Sequence, residues 1–426
     1  MERLKAGYEK LMKTTDRAAL KRDFDRVAAP MMKLMPVTGR QLTIGSRVVA
    51  ENRQISEGGF AYVWLVHDVR THEELVLKKM QCQDKAALAM AKREIQLLER
   101  LPLHPNLVQY YGNILLTEGK CKEVAMLFEF CPGGHLLNLL EKAEGRLSEK
   151  VILHTLSEVV AGVAVLHSFS PPVQHRDLKV ENVLMGSDGH WKLLDFGSWS
   201  DERTEPGLLD KHALSQLEEQ IGKYTTLMYR PPEMVDFYLE FAISEKVDIW
   251  MLGCILYTLM FYRHPFQDES SLAIANARYQ WPSSPEHSEK LRDLTLWLLA
   301  RDPANRPDAM ILLSILENFA ESSLPLPKVV LEQREHVRRL YDPQARGSCP
   351  VSRVQSPARS TDTGPEERKR SKPRKGKTSK RPDVWAEALP EDAWPAAAEP
   401  WAPFQAAEPS SPSKPLETET WPAFAQ

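Results

Sequence analysis

The residues best suited to chemistry lie in two short runs near the middle of the chain. One run, from His175 to Asn182, reads HRDLKVEN, and the other begins at Asp195 and reads DFG. A carboxylate such as that of Asp177 can accept a proton from a hydroxyl group. Carboxylate and amide oxygens can also bind a magnesium ion beside phosphate oxygens. The reaction that uses such groups together is phosphoryl transfer, in which positioning and charge neutralisation supply most of the catalysis.

The order and separation of the two runs match the catalytic-loop and metal-binding signatures of protein kinases. This resemblance implies that Asp177 orients the acceptor hydroxyl and accepts its proton. It also implies that Lys179 lies near the transferring phosphoryl group. The catalytic residues it indicates are Asp177, Lys179 and Asn182, the metal ligands are Asn182 and Asp195, and the cofactors are ATP and Mg2+.

A glycine turn lies between the first two predicted strands. The stretch from Ile55 to Val63 reads ISEGGFAYV. Its small residues would let backbone amides approach phosphate oxygens, although the same stretch also fits a plain hairpin turn. Ser56 and Ala61 stand where a G-x-G-x-x-G pattern has its first and third glycines, so the turn alone is weak support for a nucleotide site.

Lys78 ends an apolar strand 15 residues beyond Val63. Taken alone, it is a lysine at a strand end whose ammonium group reaches solvent. Beside the kinase signatures, the resemblance makes it the residue that pairs with the α- and β-phosphates, with Glu94 as its ion-pair partner. It places Phe128 at the back of the adenine pocket and makes residues 129–131 the hinge. The expected nucleotide-binding residues are Ile55, Gly58, Gly59, Ala61, Val63, Val76, Lys78, Glu94, Phe128, Glu129 and Cys131.

The elements that position these residues follow from the residue pattern. It predicts strands over 48–55, 62–68, 74–80, 107–111 and 124–130, a helix over 85–100, and long helices over 148–167 and 247–261. Strands first and helices later indicate an α+β, two-lobed kinase fold, with a small, mainly β N-lobe and a larger helical C-lobe.

Proline and charge set the predicted domain boundaries. Of the 31 prolines, 16 follow residue 320, and the near-neutral net charge of −3 conceals a block of +9 over 321–381 and one of −7 over 382–426. We expect a partly helical basic extension over 1–44 and the catalytic domain over 45–320. A disordered basic linker over 321–381 and a disordered acidic tail over 382–426 complete the chain.

Three further stretches resemble the Numb-associated kinase family, which includes the adaptor-associated and cyclin-G-associated kinases. They are EGGFA from Glu57, HRDLKVEN from His175, and KYTTLMYRPPEMV from Lys223. The resemblance covers roughly residues 45–318. It implies serine/threonine specificity, with Thr226 beside Asp177, an extra helix before Glu233, and a clathrin-adaptor or other coat protein as substrate.

Composition excludes several other classes of protein. Five cysteines with no CxxC pair argue against a disulfide scaffold or a structural zinc site. The longest charge-free apolar run, 249–262, has 14 residues, fewer than the ~20 that a membrane span needs. No signal-peptide pattern opens the chain. We therefore expect a cytoplasmic protein with no transmembrane segment and no nucleic-acid partner.

The acidic tail is rich in tryptophan, unlike most disordered segments. Two of its tryptophans have a phenylalanine three positions on: Trp401 with Phe404, and Trp421 with Phe424. Such WxxF peptides look like ligands of clathrin-adaptor appendage domains. The alternatives are a biased low-complexity tail and a tail that folds back on the catalytic domain.

The basic block over 368–381 holds nine Lys or Arg in 14 residues. It fits a solvated linker, a contact with an anionic membrane such as a clathrin-coated one, or a nuclear localisation signal. The sequence is also compatible with two other functions. They are a pseudokinase scaffold that acts only through its tail, and a nuclear serine/threonine kinase directed by the basic block.

Overall fold

The computed structural model describes residues 39–57, 61–118, 121–143, 147–267, 270–282, 287–341 and 417–419. The predictions for the N-terminal extension before residue 39, for the basic block and for six residues lie outside the described residues; the six are Gly58, Gly59, Trp401, Phe404, Trp421 and Phe424. Within the described residues, the two-lobed α+β architecture predicted from the sequence is confirmed.

The N-lobe is an antiparallel sheet with one helix packed on it. In the order β1-β2-β3-β4-β6-β5-β9, its strands are Gln41–Ile44, Arg47–Glu57, Tyr62–Asp68, Glu74–Cys82, Cys121–Glu129, Tyr110–Glu118 and Glu417–Glu419. Helix α1, Lys85–Leu98, lies between β4 and β5 in the chain. Side chains alternate along β4, so Leu75 and Leu77 fill one buried cluster while Lys78 points to the opposite face.

The C-lobe is mostly helical. Its helices are α2 Leu136–Lys142, α3 Glu149–His167, α4 Lys211–Tyr224, α5 Pro232–Val235, α6 Lys246–Phe261, α7 Ser271–Ala275, α8 Glu289–Leu298, α9 Ala309–Glu317 and α10 Lys328–Tyr341. β7, Val183–Met185, and β8, Trp191–Leu193, form a short antiparallel hairpin. In α6 every residue from Val247 to Met260 is buried, which explains the 14-residue apolar run as the central core helix.

One described helix is long and apolar enough to cross a membrane, judged by length and hydropathy alone. It is α3, and 56% of that stretch is buried inside the protein. Because α3 packs against α6, α9 and β8, it is a core helix of the C-lobe.

Three sequence predictions need correction. The acidic tail over 382–426, predicted to be disordered, contributes β9, which pairs with β5 at the edge of the N-lobe sheet. The strand predicted over 107–111 begins later, at Tyr110, and runs to Glu118; Leu107 makes only an isolated bridge to Leu193. The segment 321–381, predicted to be disordered, contains α10. Its Val330 and Val337 lie seven positions apart on one helix face and are buried against the C-lobe. This burial stabilises the helix, which the polar composition of the segment did not predict.

Candidate active site

Lys78 lies at the centre of a set of ion pairs between the lobes, in which Glu94 is buried and Asp195 is exposed. Its Nζ is 2.7 Å from Glu94 Oε1 on α1 and 2.8 Å from Asp195 Oδ1. Burial would lower the pKa of Lys78, but the two carboxylates outweigh it and raise that pKa. The charge of Lys78 in turn lowers the pKa of Asp195 to about 2. Lys78 and Asp195 thus stabilise each other's charge, whereas burial raises the pKa of Glu94. The contact between Lys78 and Glu94 is the one that the sequence predicts.

Helix α1 brings Glu94 to this position. Asp84 caps its N-terminus, and its carboxylate accepts a hydrogen bond of 2.7 Å from the Ala87 N–H. Ala91, Glu94 and Ile95 share the buried face of the helix, as residues three and four apart do. Glu94 is 2% exposed, so its carboxylate points inward at Lys78 and not into solvent.

The carboxylate of Asp177 is held at both oxygens. Its Oδ1 accepts from the Thr226 N–H at 3.0 Å and from Thr226 Oγ1 at 2.7 Å. Its Oδ2 lies 2.8 Å from Lys179 Nζ, which also donates to Thr226 Oγ1 at 3.1 Å. Asp177, Lys179 and Thr226 thus form a closed triangle, and Thr226 lies beside Asp177 as predicted.

A buried carboxylate on α6 fixes the backbone of this loop. Asp248 accepts from the main-chain N–H groups of His175 at 2.8 Å and Arg176 at 2.9 Å, and its other contact is His167 Nε2 at 2.9 Å. Burial alone would raise the pKa of Asp248, but these partners, His167 foremost, lower it. They also hold Arg176 at a φ of 68°, a left-handed conformation that costs a non-glycine residue energy.

Asn182 and Asp195 lie at the open end of the β7–β8 hairpin. The Leu194 N–H donates to the Asn182 carbonyl at 3.0 Å, which continues the hairpin pairing up to the residue before Asp195. The Asn182 Nδ2 donates to the Asp177 carbonyl at 2.8 Å, so its Oδ1 is the atom left for a cation. Across the described ranges no group of three His, Cys, Asp or Glu side chains could hold a metal alone. The pair therefore fits a cation that phosphate oxygens help to bind.

The expected adenine pocket lies between the β-sheet and the hinge. Val76 on β4 is directly opposite Phe128 on β6. The Phe128 ring is tilted by 53° against that of Tyr110, with the ring centroids 5.5 Å apart. Ala61, Val63 and Val76 are partly buried, as is Ile55 on β2. The strand register places Val63, Val76 and Phe128 on one face of the sheet.

Glu129 of the hinge has a role that the sequence did not indicate. Its N–H donates to the Gln109 carbonyl at 3.0 Å, so this N–H is not available to a purine. Its carboxylate accepts from the Gln109 N–H at 2.7 Å and lies 3.3 Å from the buried Nζ of Lys192 on β8. The ion pair between Lys192 and Glu129 thus connects the β7–β8 hairpin of the C-lobe to the hinge. A lysine in a three-residue strand gives no sequence signal of such a contact.

The hinge thiol gives a testable prediction. Cys131 is 5% exposed, and burial raises its pKa to about 12, so at pH 8 about one thiol in ten thousand is ionised. Cys121 on β6 is exposed. We expect iodoacetamide at pH 8 to alkylate Cys121 and to leave Cys131 unmodified over the same period, as measured by peptide mass spectrometry. Buried Cys254 is the matched control, and equal labelling of Cys121 and Cys131 would contradict the buried hinge.

The comparisons with known proteins agree with this geometry. The model of the protein kinase domain matches residues 49–315. The chain is 39% identical over 292 residues, 68% of its length, to a probable serine/threonine-protein kinase of Dictyostelium discoideum. It is similar to two proteins of Saccharomyces cerevisiae: actin-regulating kinase 1, 36% identical over 66% of the chain, and actin-regulating kinase PRK1, 32% identical over 68%. The matches span 26%, 46% and 36% of these relatives' own lengths.

Proposed function

We propose that this chain, which belongs to the protein kinase family, is an active protein-serine/threonine kinase that transfers the γ-phosphate of ATP to a protein hydroxyl. The observation that carries the proposal is the complete set of charged groups around the cleft. Lys78 is paired with Glu94 and Asp195, and Asp177 is held by Lys179 and Thr226. A pseudokinase scaffold would not need this set intact.

The chain's own residues divide the work. Lys78, oriented by Glu94, would bind the α- and β-phosphates. Asn182 and Asp195 would hold a Mg2+ ion, which would neutralise phosphate charge. Asp177 orients the acceptor hydroxyl and accepts its proton. Lys179 lies 2.8 Å from Asp177 Oδ2, where its charge can stabilise the transferring phosphoryl group.

A direct assay tests the activity. The full chain, expressed and dephosphorylated, is incubated with ATP, Mg2+ and a generic protein substrate that contains serine, threonine and tyrosine. We expect phosphoserine and phosphothreonine but no phosphotyrosine, and no product when EDTA removes the metal. Absence of turnover with bound nucleotide would favour the pseudokinase scaffold instead.

We further propose an endocytic setting for the kinase, within the Numb-associated group. The EGGFA, HRDLKVEN and KYTTLMYRPPEMV stretches support it, as does similarity to two proteins named actin-regulating kinases. The substrate would be a clathrin-adaptor subunit or another coat protein, and the kinase would be cytoplasmic and recruited to clathrin-coated membranes. Comparison of phosphopeptides from cells with active and inactive kinase would identify the substrate.

The WxxF peptides give the prediction for recruitment. A fusion of residues 382–426 should bind an adaptor appendage domain, because Trp401 and Trp421 with their phenylalanines supply paired aromatic anchors. Trp401→Ala with Trp421→Ala should reduce capture at least tenfold in a pull-down. The matched control is Trp385→Ala with Trp394→Ala, which removes two tryptophans that no phenylalanine follows at that interval. Equal capture by both double variants would reject WxxF docking.

The basic block can be tested separately. We propose that residues 368–381 contact anionic membrane, since nine cationic side chains lie within 14 residues. Deletion of 366–381 should reduce binding to vesicles that contain phosphatidylserine. If deletion instead changes only nuclear abundance, the block is a nuclear localisation signal.

A further inference from the structure

Trp199 connects the segment after Asp195 to helix α1 of the N-lobe. It follows the helical turn Phe196–Ser198 and is 6% exposed. Its indole Nε1–H donates to the Arg93 carbonyl at 2.8 Å. The guanidinium carbon of Arg93 lies 5.0 Å from the centre of the Trp199 ring. One side chain of the C-lobe therefore holds both the backbone and the side chain of one residue of α1.

Arg93, which Trp199 contacts, is next to Glu94, the partner of the proposed phosphate-binding lysine. Arg93 immediately precedes Glu94, whose carboxylate is 2.7 Å from Lys78 Nζ. A carbonyl oxygen has two lone pairs, so the Arg93 carbonyl can accept the indole hydrogen bond and stay within the helix. A displacement of α1 away from the cleft would break the indole hydrogen bond and the Lys78–Glu94 ion pair together.

The same turn is also tied to the acceptor side of the site. Ser198 Oγ donates to the Tyr224 carbonyl at the end of α4. Thr225 and Thr226 follow directly, and Thr226 contacts Asp177. The chain from Ser198 to Trp199 thus links the end of α4 to α1 through two side-chain hydrogen bonds.

Burial of a large aromatic ring alone does not require this arrangement. A buried tryptophan usually finds an acceptor for its N–H, and the acceptor could lie anywhere in the C-lobe. Trp297 on α8, 4% exposed, is buried within the C-lobe core. The acceptor of Trp199 is a carbonyl of α1, which makes the contact a link between the two lobes at the ion pair.

We propose that Trp199 is a positioning residue that holds α1 where Glu94 reaches Lys78. This inference rests on the proposed kinase activity. Trp199 lies outside the catalytic signatures, yet it would position α1, the helix that carries the ion-pair partner of Lys78.

The test uses the full chain with three variants. Trp199→Phe keeps an aromatic ring beside Arg93 but loses the N–H donor. We expect a fall in kcat/KM of about two- to tenfold, the range that loss of one hydrogen bond corresponds to. Trp199→Ala loses both contacts, so its kcat/KM should decrease further and its KM for ATP should increase. Trp297→Phe is the control, since it makes the same substitution at a buried site away from α1, and its kcat/KM should stay within about twofold of wild type.

Hydrogen exchange separates positioning from general destabilisation. Amides of residues 85–98 should exchange at least tenfold faster in Trp199→Ala, while amides of 247–260 in α6 keep their wild-type rates. Unchanged exchange in 85–98, or wild-type kcat/KM in Trp199→Ala, would overturn the inference. An inactive wild-type protein would count against the proposed function, and the exchange measurement would still decide the role of Trp199.

Discussion

Replacement of Asp177 by asparagine is expected to lower kcat by about 10²- to 10⁴-fold, the usual contribution of a general base. Asparagine has nearly the same shape, so its Oδ1 can still accept from Thr226. Its NH2 group replaces the oxygen that Lys179 contacts, and its amide cannot accept the hydroxyl proton. Nucleotide affinity should change by less than about threefold, because Lys78, Glu94 and Asp195 are untouched.

The matched control for this variant is Asp210→Asn. Asp210 caps α4 and accepts a hydrogen bond of 2.8 Å from the Ala213 N–H, and asparagine is an equally good cap. Initial rates with ATP and a threonine substrate would be compared with binding of a fluorescent ATP analogue. Near wild-type turnover by Asp177→Asn would show that another group accepts the proton.

The second large effect is expected at the buried pair of Arg306 and Glu233. Two hydrogen bonds of 2.6 and 2.9 Å join the guanidinium to the carboxylate, and both side chains are fully buried. Arg306 also donates to the Ala300 and Lys246 carbonyls. Arg306→Met leaves the Glu233 charge buried without its partner and should lower the free energy of unfolding by ~3–5 kcal/mol.

Urea denaturation at pH 7 measures this decrease in the free energy of unfolding. Two further variants serve as comparisons. Arg338→Met removes an exposed arginine that pairs with Glu289, and such surface pairs contribute at most about 1 kcal/mol. The double variant Arg306→Met with Glu233→Leu removes both charges and should be more stable than the sum of the two single losses predicts. A loss below about 1 kcal/mol in Arg306→Met would contradict the buried geometry.

The sequence predicted those residues whose chemistry depends on type and spacing. Asp177, Asn182 and Asp195 belong to short local signatures, and their neighbours Lys78 and Glu94 could be assigned once those signatures were recognised. The structure places Lys78 between Glu94 and Asp195 and Asn182 beside Asp177.

Contacts that depend on tertiary packing could not be predicted in the same way. Lys192 contacts Glu129, and Trp199 contacts Arg93, across 63 and 106 positions, and no sequence motif relates the two partners. Helix α10 depends on burial of Val330 and Val337 against the C-lobe, whereas its composition alone resembled a charged linker. In each case the deciding factor is which surface the residue meets in the folded domain.

The position of Asp248 on α6 has a consequence for how the enzyme loses activity on heating. Local opening of a loop normally requires little energy when few buried contacts hold it. Here the amides of His175 and Arg176 are bonded to a carboxylate on a helix whose residues 247–260 are all buried. Opening of the catalytic loop therefore breaks two hydrogen bonds to a buried carboxylate of α6, and we expect thermal inactivation to coincide with global unfolding.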